Sequence, residues 1–67
     1  MDSDKLAKLL GLLEAKAAEH KQTAIEKTAL AAAANDTTGL ILASMETKLF
    51  LVYESLAGMI RRVENEV

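Results

Sequence analysis

From Leu42 to Val63 the residues Leu42, Met45, Leu49, Val52, Leu56, Met59 and Val63 recur at spacings that alternate between three and four. That repeat lays one unbroken apolar stripe along an α-helix, the pattern of a coiled-coil seam. The N-terminal half answers with Leu6, Leu10, Leu13, Ala17, His20, Ala24, Lys27 and Ala31 at the same alternation. It is apolar except at His20 and Lys27, with its large residues first and its small ones later. There is no proline, and turn-forming residues collect in one place, Asn35-Asp36-Thr37-Thr38-Gly39. The pattern predicts helices over about residues 3–34 and 38–65, joined by a turn at 35–39. Ser3 or Asp2 can cap the first helix, and Asp36, Thr37 or Thr38 the second. Asn35 can take the left-handed conformation that ends a helix, and Arg61 and Arg62 suit the C-terminal end of the second dipole.

A connection this short folds the helices back on each other. The predicted architecture is all-α, an antiparallel two-helix hairpin or helical coiled coil that forms a single domain. Folding about the turn places Leu10 opposite Val63, Ala17 opposite Leu56, Ala24 opposite Leu49 and Ala31 opposite Leu42. Leu13, Met45, Val52 and Met59 complete this intramolecular seam. Small residues facing large ones fill such a seam without voids. The same register sets Lys27 beside Glu46, an ion pair worth at most about 1 kcal/mol where exposed.

More apolar surface remains than one hairpin can cover. Ala15, Ala18, Ile25, Ala29 and Ala32 form a second stripe on the first helix, interrupted by Gln22. On the second helix Ala43, Phe50, Leu51, Ala57 and Gly58 lie off the main seam. Large side chains such as Phe50, Leu51 and Tyr53 often anchor protein interfaces, so together with Gly58 and the second stripe they make the candidate oligomer or partner interface. A second stripe asks for another chain, and the simplest closed arrangement is a two-fold dimer forming a four-helix bundle. Length points the same way, because a chain of 67 residues folding alone buries only about 60% of its unfolded surface. With no cysteine there is neither a disulfide framework nor a thiolate metal site to supplement that core.

Charge and chemistry narrow the function. Eight basic residues against ten acidic ones give a net charge of -2, and the adjacent basic pair is Arg61-Arg62; nucleic acid is therefore not the expected partner. A membrane is not expected either. The stretch 40–60 contains Glu46, Lys48 and Glu54, each costing about 2.5 to 3.5 kcal/mol at bilayer depth. Met1-Asp2-Ser3-Asp4-Lys5 is acidic before it is basic and Lys8 interrupts the apolar residues that follow, a poor signal peptide, so the expected location is cytoplasmic. With His20 as the sole histidine, one chain cannot build a histidine triad or a multi-histidine zinc site. Ser3, Ser44 and Ser55 lack nucleophile-elbow glycines, and Gly11, Gly39 and Gly58 fit no phosphate-binding fingerprint. No catalytic, cofactor-binding or metal residue is expected.

The chain thus reads as a non-enzymatic small helical protein that self-associates and acts through protein–protein contacts. An adaptor, inhibitor, chaperone-like or accessory role fits, with a larger protein as a further partner. In length and hairpin architecture such a dimer also resembles the plasmid-encoded Rop proteins. That resemblance implies RNA contact through some of Lys5, Lys8, Lys16, Lys21, Lys27, Lys48, Arg61 and Arg62 gathered on one face. A purely architectural module, growing beyond a closed dimer through the Ala15 to Ala32 stripe, is the third expectation.

Overall fold

The computed structural model describes residues 3–66 and the side chains of 4–66, so capping by Asp2 or the Ser3 hydroxyl lies outside the described residues. Two helices, α1 (Ser3–Ala33) and α2 (Thr37–Glu66), pack antiparallel as a hairpin. The rod measures 49 × 14 × 12 Å. Its turn is built from local chemistry. Asn35 sits in the left-handed region with φ 52°, and the Asp36 and Asn35 N–H groups donate back to the carbonyls of Ala31 and Ala32 at 2.8 and 3.3 Å. That is a Schellman closure of α1, formed by an asparagine able to adopt αL.

The connection is only residues 34–36, shorter than the expected 35–39. Asp36 explains the difference: its Oδ1 accepts from the Gly39 N–H at 3.0 Å and its carbonyl accepts from the Leu40 N–H at 3.0 Å. With Asp36 as the N-cap, Thr37, Thr38 and Gly39 become the first turn of α2. Gly39 is needed there, because a Cβ at this position would lie 2.9 Å from the Ala31 Cβ and 2.6 Å from Asp36 Oδ2. A Cβ at Gly58 would meet nothing within 4 Å, so the requirement for glycine is confined to the one beside the turn.

Between the helices Leu6, Ala17, Ala24 and Ala31 of α1 are buried with Ala43 and Ala57 of α2. Leu10 and Leu13 are half-buried on the same face of α1. On α2 the expected seam is wrong by one residue. Gly39, Ala43, Glu46, Phe50, Tyr53, Ala57, Ile60 and Glu64, themselves spaced four and three, carry the reduced exposure on this helix, with Gly58 beside them. Leu42, Met45, Leu49, Val52, Leu56, Met59 and Val63 stand outside it, each 40% to 55% exposed. One residue is about 100° of rotation. The axial register survives that rotation, for Lys27 Nζ lies 3.6 Å from Glu46 Oε1, as expected.

The rotation has a physical cause on α1. Ala17, Ala24 and Ala31 face Gly39, Ala43 and Ala57, small on small, which brings the backbones close enough for dense contact. His20, in the middle of the α1 seam, meets Glu46 and Tyr53. Turned the other way, α2 would surround that imidazole with aliphatic side chains, and a buried polar group without a partner costs about 1 to 3 kcal/mol.

Candidate interaction surface

The seam and the aliphatic stripe of α2 are adjacent heptad columns, so holding one against α1 turns the other outward. α1 extends the outward face at both ends. Leu30 lines the same groove as Leu42, together with Lys27 and Ala34. Leu9 precedes Leu30 by three heptads and Leu12 precedes it by five helical turns, which puts all three on that side. Leu12 and Leu30 are 66% and 73% exposed. Between them, Lys16 and Thr23 occupy the Leu9–Leu30 column. The face is therefore aliphatic along the whole of α2 but only at the two ends of α1.

Polar contacts lock this presentation. The Glu46 carboxylate can only accept, so the His20 Nδ1–H donates to Glu46 Oε2, and the His20 ring stacks on Tyr53 with centroids 5.5 Å apart and planes 6° from parallel. The hydrogen bond from His20 holds the Glu46 carboxyl below its ordinary range, with the charges of His20 and Lys27 acting in the same direction against partial desolvation. Glu14 and Arg61 pair across the helices at 3.4 Å, and Lys16 pairs with Glu19 at 3.5 Å. On the far side of the seam, Lys21 Nζ lies 5.7 Å from the centre of the Phe50 ring.

The interface residues expected from the sequence divide. Ala15, Ala18, Ile25, Ala29, Ala32 and Leu51 are exposed, while Phe50, Tyr53 and Gly58 are half-buried on the α1-facing side of α2. A shallow groove lined by Ala24, Ile25, Thr28, Ala29 and Thr47 runs on the side of the hairpin opposite Leu42. The aliphatic face itself was visible in the sequence as a stripe but assigned to the wrong contact. The signal that places it was His20, whose polar ring calls for Glu46 and Tyr53 rather than Met45 and Val52.

Among the described residues no group of three or more histidine, cysteine or acidic side chains is placed to hold a metal ion, and no helix is long and apolar enough to cross a membrane. No protein family, curated protein or solved structure matches the chain. The functional reading therefore rests on this surface.

Proposed function

We propose that the protein is a non-enzymatic helical interaction module that self-associates, two hairpins burying their aliphatic faces in a four-helix bundle. The exposure of all seven residues of the α2 stripe carries this reading. Monomeric proteins rarely leave contiguous apolar patches beyond a few hundred Å² uncovered. The area fits as well: the hairpin exposes 4968 Å², against roughly 4,100 Å² for a compact monomer of this mass. That excess is close to the roughly 800 Å² per partner of a standard interface.

In such a bundle the Ile25, Ala29 and Leu51 side of each hairpin stays outward, the surface through which an adaptor or accessory protein would meet a larger partner. An RNA-binding role draws less support, since Lys16, Lys27 and Arg61 are each tied to a carboxylate. The test is a pair of variants measured by light scattering. Leu49→Lys with Leu56→Lys should give a monomer of reduced helicity, because both side chains lie in the proposed contact between copies and that contact supports the hairpin. Ile25→Lys with Leu51→Lys should leave the mass at that of a dimer. An unchanged mass in the first variant would remove the aliphatic face from the assembly.

A further inference from the structure

We propose that the aliphatic face is covered by a second copy of this chain turned end for end, about a two-fold axis that crosses α2 at Val52 and α1 at His20. This rests on the self-association reading and assigns its geometry. The first support is the order of residues on α2. Met45 and Met59 stand seven positions either side of Val52, Leu49 and Leu56 three before and four after, Leu42 and Val63 ten before and eleven after. The stripe thus reads nearly alike from both ends, and an inverted copy meets side chains of its own size along the full length.

The second support comes from α1 and is independent. Stacking of His20 on Tyr53 sets those residues at the same height on the rod, so an axis through Val52 passes α1 beside His20. Leu9 and Leu30 lie eleven residues before and ten after His20. One axis therefore brings Leu9 of each copy onto Leu30 of the other while α2 packs on α2. Lys16 then lies opposite Thr23 near the centre of the α1 contact, the polar middle of an interface whose aliphatic mass is on α2.

Other arrangements of two copies fit less well. With the turns at the same end and α2 laid on the other copy's α1, Leu49 and Leu56 would face the Lys16 and Thr23 stretch and desolvate it. With α2 beside α2 in the same direction, Lys48 and Arg62, which flank the stripe, would each stand level with their own copies, a juxtaposition of like charges. In the inverted pair Lys48 stands level with Leu56 of the other copy and Arg62 with Leu42.

The chain has no cysteine, so introduced thiols report geometry without background. A disulfide requires Cα atoms within about 7 Å, a condition that residue 52 meets with itself only near the axis. The experiment oxidises full-length Val52→Cys, Leu42→Cys, and equal mixtures of Leu42→Cys with Val63→Cys and of Lys16→Cys with Leu56→Cys, with readout by non-reducing electrophoresis and by light scattering of the reduced proteins. The proposal expects Val52→Cys to link to itself, Leu42→Cys alone to link poorly, and the first mixture to give the crossed Leu42→Cys with Val63→Cys product. Dimeric mass with Leu42→Cys linking to itself, or with Lys16→Cys linking to Leu56→Cys, overturns the inverted geometry while leaving self-association standing. A monomer at all concentrations overturns both, and assigns the face to a different protein.

Discussion

At Glu46 and at Gly39 a change of one or a few atoms acts directly on the hairpin. The native Glu46 carboxyl binds its proton less readily than an unfolded one, chiefly because His20 donates to it. Its contribution is therefore complete above the ordinary glutamate pKa of about 4.3 and is lost as pH falls through the depressed native value. Urea midpoints of the wild type should drop through that acid range more steeply than those of Glu46→Gln, at one fixed protein concentration. Parallel acid limbs would remove this linkage. Gly39→Ala should cost about 1 to 3 kcal/mol by overpacking, since its Cβ would press on Ala31 and on the capping Asp36. Gly58→Ala, where the space is open, should instead stabilise by up to about 1 kcal/mol through helix propensity. Thermal denaturation of the two variants side by side measures the contrast.

At the level of the helices, what the sequence made legible was whatever depends on neighbours in the chain. Both helices, the αL turn at Asn35, the choice of an Asx or threonine cap, and the Lys27–Glu46 register all follow from spacing and cap chemistry. The rotation of α2 does not, because α2 carries two heptad columns one residue apart. The Leu42 column is more hydrophobic, and hydrophobicity alone assigns it to the nearest partner. The Ala43 column wins because of α1: its alanines admit a close neighbour, and His20 needs Glu46 and Tyr53. For the same reason the proposed contact between copies lies on the aliphatic side, while the Ile25 and Leu51 side expected from the sequence is also exposed. Urea denaturation of two variants tests this assignment and the capping of α2 in turn. Ala57→Leu, at a site only 1% exposed, should destabilise the hairpin by about 1 to 3 kcal/mol. Asp36→Ala should cost about 1 kcal/mol by removing the N-cap of α2. If Ala57→Leu were neutral, the small-residue seam would not be the contact between the helices.

As a whole molecule the hairpin is a rod with a core one side chain deep. Its buried residues among those described are Leu6 and five alanines, so little apolar area is removed from water inside one chain and most of the large aliphatic side chains remain outside. In the proposed dimer, association supplies much of the stability of so short a chain, which then rises with protein concentration by mass action. Helix packing and assembly become one equilibrium. The most direct measurement is therefore solution mass by light scattering together with helical content by circular dichroism, on the same samples over a hundredfold dilution. A hairpin that self-associates through its aliphatic face gives a helical species of twice the 7.2 kDa chain mass at high concentration, with mass and helicity falling together on dilution. A fully helical monomer across the entire range would contradict that association.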